Sequence, residues 1–111
     1  MTLRNKTSNK ILSSNIIEVK SLRESTQGLI LKKNNKGLFL ETRFGIHTFL
    51  MSHAIDVLIL DKKNKVVKIK ENLKPFRIFI WNPKFDRVIE LPQGDINKSK
   101  TKLFDKIIFM Q

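Results

Sequence analysis

The run Ile55-Asp56-Val57-Leu58-Ile59-Leu60 most limits what this chain can become. All of it but Asp56 is aliphatic, β-branched residues alternate through it, and Asp61-Lys62-Lys63-Asn64-Lys65 ends it in a polar turn. So short a segment suits a strand rather than a helix, and a strand that is apolar at successive positions has to be covered on both faces. A sheet with this segment in its interior is therefore expected. Val66 to Lys70 follows, with Val67 and Ile69 pointing one way and Lys68 and Lys70 the other, so the two segments form a hairpin.

The rest of the chain reads as strands separated by turns. Ile16 to Val19 is β-prone, and Ser21 to Gln27 fits a short helix capped by Ser21 and ended at Gly28. Strands are expected at Gly28 to Leu31 and Gly37 to Thr42, around a Lys-Lys-Asn-Asn-Lys turn, and at Gly45 to Met51. Arg77 to Trp81 and Arg87 to Leu91 are joined by Asn82-Pro83-Lys84, Asp95 is placed to cap a short helix through Lys100, and Ile107 to Met110 closes the chain. The expected fold is an all-β single domain: a β-sandwich or partly closed barrel of about eight short strands with one or two short helices. Residues 1–14 are basic, carry no acid and show no sustained period, so they read as a frayed tail or a short leading strand before a domain spanning 15–111.

A length of 111 residues suits one core, and without cysteine neither a disulfide nor a thiolate zinc site braces it. No apolar run approaches the roughly 20 residues of a membrane-spanning helix, and the leading residues lack the apolar centre of a signal peptide. A cytoplasmic monomer with no membrane association is the expectation. The net charge of +12, from 22 Lys and Arg against 10 Asp and Glu, attracts polyanions through counterion release. Yet 17 of the 22 are lysines scattered among Asn and Ile, which an AT-rich genome would also produce; the arginines are Arg4, Arg23, Arg43, Arg77 and Arg87. Weak, sequence-nonspecific polyanion binding through Lys62, Lys63, Lys65, Lys68, Lys70 and Lys74 is a secondary expectation.

Several blocks recur in an order seen elsewhere: Gly28-Leu29, His47-Thr48-Phe49-Leu50-Met51, Ile55-Asp56, Asn72-Leu73-Lys74-Pro75-Phe76-Arg77 and Glu90-Leu91-Pro92-Gln93-Gly94. From about Asn15 to the C-terminus the chain resembles the bacterial and archaeal family known as domain of unknown function 192. It departs from that pattern at Ala54, where proline is usual, at Gln93, where alanine is usual, and at Leu103-Phe104-Asp105, where a Gly-Asp turn is common. The resemblance implies a compact all-β domain and no established activity.

The polar residues of the apolar centre carry the functional question. His47 and His53 are six apart, which fits neither the i, i+4 spacing of a helical metal pair nor the i, i+2 spacing of a strand pair; no metal and no cofactor are expected. Asp56, inside an apolar strand, needs partners: backbone amides at a turn, Arg77 or a lysine from a neighbouring strand. Alternatively Asp56, Glu90 and His47 meet as acid–base groups, with Arg77 as an anion clamp. Trp81 and Phe85 flank Asn82-Pro83 and either pack a core edge or stack a planar ligand. Nucleotide-binding and hydrolase motifs are absent. The favoured reading is a non-catalytic module whose loops, with His47, Thr48, Met51, Asn72, Arg77 and Trp81, take up a small ligand or a protein partner; a small enzyme using Asp56 and Glu90 is the rival.

Overall fold

All six positions of Ile55–Leu60 are buried, because the sheet that holds them is covered on both sides. The computed structural model describes residues 1–19, 37–43, 45–48 and 51–111. Among them are strands β1 Thr2–Asn5, β2 Lys10–Ser13, β3 Ile16–Val19, β4 Gly37–Glu41, β5 Ile46–His47, β6 Ile55–Leu60, β7 Val66–Leu73, β8 Ile78–Phe79, β9 Arg87–Pro92 and β10 Ile107–Met110, and a short helix, Asp95–Lys98. A five-stranded sheet, in the order β3-β4-β9-β6-β7, lies between a three-stranded sheet, β10-β1-β2, and a two-stranded one, β5-β8. The sheets stay open, so the protein is an all-β domain and not a closed barrel.

Strand alternation divides the core. On one face Phe39, Leu58, Leu60, Ile89 and Leu91 pack against Leu3, Leu12 and Ile107 of the three-stranded sheet and Ile96 of the helix. On the other, Leu38, Leu40, Val57, Ile59 and Val88 pack against Phe79 and Trp81. Each such side chain contributes roughly 1.5–3 kcal/mol when fully buried. Antiparallel strands usually keep one wet face; here both are occupied, which accounts for the unbroken apolar run.

Residues 1–14 form two strands, with β1 in the middle of its sheet, paired to β10 from Thr2↔Met110 to Asn5↔Ile107. Leu3 and Asn5 are both 0% exposed. The Asn5 amide donates to Thr101 Oγ1 at 3.0 Å and to Asp105 Oδ2 at 2.9 Å, and the Asn5 carbonyl oxygen accepts the Ser8 amide. Sparse apolar residues, Met1, Leu3, Ile11 and Leu12 among polar ones, left no period to read.

Other elements differ from expectation in instructive ways. β3 and β4 are parallel, from Ile16↔Gly37 to Val19↔Leu40, a pairing that no tight turn can join, and β9 occupies the other edge of β4. The helix expected at 21–27 and the strand at 28–31 lie outside the described residues. The expected strand from Gly45 is regular only over Ile46–His47; Thr48 N still donates to the Arg77 carbonyl opposite it, while its hydroxyl holds the loop before β8, and residues 49 and 50 lie outside the described residues. Gly45 itself has φ of 100°, and a Cβ there would sit 2.8 Å from the Phe79 carbonyl oxygen, so only glycine fits. The β6–β7 hairpin forms: Asp61 Oδ1 accepts the Lys63 and Lys65 amides, and Asn64 takes a left-handed φ of 64°. Val67 and Ile69 do not share a face as expected, because the register shifts by one residue between Ile59 and Leu60 and turns Val67 toward the Phe79 and Trp81 side while Ile69 packs on the other.

Arg87 ties the layers together. Its guanidinium lies 4.8 Å from the Phe39 ring centroid and 5.4 Å from that of Phe109, while Nε donates to Asn64 Oδ1 at 2.9 Å.

Phe104 is held at φ 72° and is 71% exposed. A left-handed backbone costs a non-glycine residue roughly 1–2 kcal/mol, and little burial would be lost with the ring. Phe104→Gly is therefore expected to stabilise the fold by about 0.5–1 kcal/mol after glycine's larger unfolded-state entropy is subtracted. Urea denaturation checks this; an unchanged or lowered midpoint refutes it.

Candidate functional site

The central buried carboxylate is spent on architecture. Opposite Asp56 the β6–β7 ladder slips: Ile55 pairs with Leu73 and Val57 with Lys70, so β7 carries an extra residue, and Asn72 turns to φ 56°. Such a bulge frees a backbone amide from the ladder. Asp56 Oδ1 accepts that Asn72 amide at 3.0 Å. Its Oδ2 accepts the Gly94 amide at 3.0 Å and the Ile96 amide at 3.1 Å. One carboxylate, 1% exposed, thus closes a bulge and caps a helix start about 40 positions away in sequence. Neither Arg77 nor a lysine is among these partners.

Asp95 does not cap the helix as expected. The N-cap is Gly94, at φ 96°, with no side-chain capping bond of its own. The sequence pointed to an acidic residue at the helix start, and the acid that acts there comes from β6. Burial raises the Asp95 carboxyl above its ordinary range; Lys98 opposes the shift and the Asp56 charge adds to it. A raised native pKa means that stability is complete below the unfolded value of 3.8 and is lost as pH rises through the native one. Asp95→Asn is expected to exceed the native protein in thermal midpoint at neutral pH and to match it in acid. Parallel melting curves at pH 3 and pH 7 decide, and a lower midpoint for the variant at pH 7 would refute the expectation.

The proposed acid–base group does not assemble. In the β6–β9 ladder Asp56 faces Leu91 and Val57 faces Glu90, so the two carboxylates emerge on opposite faces of the five-stranded sheet. Glu90 is buried with the Leu38 and Val57 side of the core, whereas Asp56 shares its face with Leu58 and Ile96. His47 is exposed on β5, where it pairs with Ile78. No group of three or more His, Cys, Asp or Glu that could hold a metal ion occurs among the described residues.

The remaining candidates divide. Thr48 is fully buried and pins the 74–77 turn: its hydroxyl donates to the Lys74 carbonyl at 2.6 Å and accepts the Arg77 amide at 3.0 Å, and its carbonyl accepts the Phe76 amide. Trp81 is a core residue, 7% exposed, tilted against Phe79 with its indole N–H donating to the Phe85 carbonyl at 2.7 Å, and offers no stacking platform. Met51 packs against the same cluster. The Asn72 side chain accepts from Gln93 Nε2 at 2.8 Å, bridging the β7 bulge and the turn after β9 on the exposed surface. Arg77 is exposed, its guanidinium reaching the Phe76 carbonyl at 3.5 Å.

Sequence reasoning missed the apolar side chains of this loop and strand. Phe76, Ile78 and Ile80 are 69%, 67% and 64% exposed at alternating positions, with His47 beside Ile78. Phe76 is also left-handed, at φ 62°. A strand over Arg77 to Trp81 was expected, but with nearly every position from Phe76 to Ile80 apolar the sequence did not tell which of them meet solvent. The six lysines expected to act together are likewise dispersed. Lys62, Lys63 and Lys65 lie in the β6–β7 turn, Lys74 lies beyond the far end of β7, roughly 25 Å away at 3.3 Å per residue, and Lys68 Nζ donates to the Ile80 carbonyl over the Phe79 ring.

These features define a class: a small all-β domain whose buried carboxylate braces a bulge and a helix start, and whose loops leave an apolar ribbon uncovered. The model of the DUF192 family, described as Uncharacterized ACR, matches residues 4–109, and the chain belongs to that family. A UPF0127 protein of Pyrococcus horikoshii is 40% identical over 86 residues, covering 72% of this chain and 74% of that one. A second, from Pyrococcus abyssi, is 39% identical over 69 residues, covering 60% of this chain and 58% of its own length. Two crystal structures share the fold at 14% identity. A protein of unknown function from Novosphingobium aromaticivorans aligns with a TM-score of 0.77 over 97% of this chain and 82% of its own. A putative transcription regulator from Sinorhizobium meliloti aligns with a TM-score of 0.73 over 96% and 89%.

Proposed function

We propose that the protein is a non-catalytic binding module that docks a partner polypeptide along the Phe76, Ile78, Ile80 ribbon. One observation carries this: three large apolar side chains stay about two-thirds exposed at every second position, while Thr48, Trp81 and Asp56 are consumed by the fold. A partner in extended conformation presents side chains at the same period and covers such a ribbon as a strand covers a sheet face. Lys74 and Arg77 flank it with positive charge, and His47 shares its outer face, so the fitting partner alternates apolar and acidic residues. The catalytic alternative has its two carboxylates on opposite sheet faces, which counts against it.

The test pairs the native protein with an Ile78→Asp/Ile80→Asp variant, both positions being exposed so that the fold tolerates the change. Each is used to capture chains from an extract of its native cell. A polypeptide retained by the native protein alone, which on addition shifts the backbone amide resonances of Phe76 to Ile80, is the expected result. Identical capture by both proteins, or shifts confined elsewhere, would reject the ribbon as the docking face.

A further inference from the structure

At the opposite end of β7 the fold gathers three loops that are distant in sequence. Lys6 N donates to the Lys106 carbonyl, Lys106 N to Thr7 Oγ1 and Lys106 Nζ to the Lys63 carbonyl, while Phe104 N donates to the Val66 carbonyl at 2.7 Å. Loops 6–9, 61–65 and 99–106 thereby form one tip carrying exposed Lys6, Lys62, Lys63, Lys65, Lys100 and Lys102. The acids of these loops are Asp61 and Asp105, and both are turned to internal work. Asp61 Oδ1 accepts the Lys63 and Lys65 amides, and Asp105 Oδ2 accepts the Asn5 side-chain amide and the Lys102 amide. In their midst Leu103 is 49% and Phe104 71% exposed, the latter held out by a left-handed backbone that glycine would adopt at less cost.

We infer that this tip binds the anionic surface of a lipid bilayer, Leu103 and Phe104 entering the headgroup layer and the lysines facing lipid phosphates. The observations choose this occupant over the others. Lysine is a compact point charge suited to a diffuse anionic surface, whereas specific phosphate or base recognition favours arginine; the two guanidiniums that reach these loops, of Arg4 and Arg87, are engaged with Asn9 Oδ1 and Asn64 Oδ1. A single-stranded nucleic acid would stack on Phe104 but has no use for Leu103. A second copy would set six exposed lysines against six. Adjacent exposed apolar side chains on a tip that also carries six exposed lysines match interfacial binding, in which shallow apolar burial and attraction to anionic lipid add. The contact is with the bilayer surface: no helix among the described residues is long and apolar enough to cross a membrane. It departs from the absence of membrane association expected from sequence, because neither the gathering of the loops nor the exposure of Leu103 and Phe104 is legible there. The inference is independent of the ribbon, which shares no residue with these loops.

Cosedimentation with unilamellar vesicles tests it, using phosphatidylcholine alone and phosphatidylcholine with about 30% phosphatidylglycerol. The native chain is expected to pellet with the anionic vesicles only, and less as salt rises. Lys62→Gln/Lys63→Gln/Lys102→Gln should lower the partition coefficient at least about tenfold, since each lysine near the surface contributes a severalfold factor. Leu103→Ser/Phe104→Gly should lower it about tenfold as well. Phe104→Gly alone is expected to be more stable than the native protein, so weaker partitioning by it is not unfolding. Tryptophan emission from a Phe104→Trp variant should shift to the blue on anionic vesicles. No pelleting with anionic vesicles overturns the inference. So does pelleting insensitive to Leu103 and Phe104, or a Phe104→Trp signal that responds to an oligonucleotide and not to vesicles; these outcomes would assign the tip to polyanions instead.

Discussion

Replacing Asp56 with alanine is expected to lower the unfolding free energy by about 3–5 kcal/mol, among the largest effects of any single substitution in this chain. The carboxylate, 1% exposed, accepts three backbone amides, those of Asn72, Gly94 and Ile96, the last in a fully buried bond and the other two in partly buried ones. Deleting it strands all three, and an unsatisfied buried donor costs roughly 1–3 kcal/mol. Asp56→Asn keeps one acceptor oxygen and should lose about 2–3 kcal/mol, since its amide group presents hydrogens where an acceptor is needed. Chemical denaturation followed by circular dichroism measures both. Accelerated hydrogen exchange at Gly94 and Ile96 in the alanine variant would locate the damage. A loss below about 1 kcal/mol would mean that Asp56 is not the brace described, and the acid–base reading would regain its interest.

Removing residues 1–14 is expected to abolish cooperative folding. The segment supplies β1, the central strand of its sheet, and with it Leu3 and Leu12, which cover Leu58, Leu60 and Ile107. Two buried leucines and the core surface they uncover amount to more than about 5 kcal/mol, comparable with the whole stability of a small domain. The truncated chain should bind a hydrophobic dye and show no sharp thermal transition; a sharp melt would mean that the leading strands merely decorate a self-sufficient sheet. Asn5→Ala is the milder test, expected to cost about 2–3 kcal/mol, because Asp105 loses a donor and the Ser8 amide its acceptor.

Much of the strand pattern was legible because it rests on local chemistry. The hairpin at Asp61 to Lys65 follows from a polar turn with an asparagine able to turn left-handed, and the buried β6 follows from six residues with nowhere polar to face except Asp56. For the leading residues the choice between a frayed tail and a strand was not legible, since β1, besides its local partner β2, is fixed by β10, about a hundred residues away. The candidate site fared differently residue by residue. A partner for Asp56 was required by its burial, but the choice among amides, Arg77 and lysine depended on a bulge and a turn meeting in space. Trp81 and Thr48 read equally well as ligand contacts or as internal fasteners, and only their hydrogen bonds to Phe85 and to the 74–77 turn separated the two.

Sequence alone determined that this chain builds sheets, that Ile55–Leu60 lies inside one, and that side chains two apart share a face wherever no bulge intervenes. The tertiary structure decided the register, and register decides chemistry. Because Val57 and not Asp56 lies opposite Glu90, the two carboxylates stand on different sides of the central sheet. A slip of one residue would have placed them on the same side, since strand geometry repeats every second residue and nothing local to either strand records its neighbour's phase.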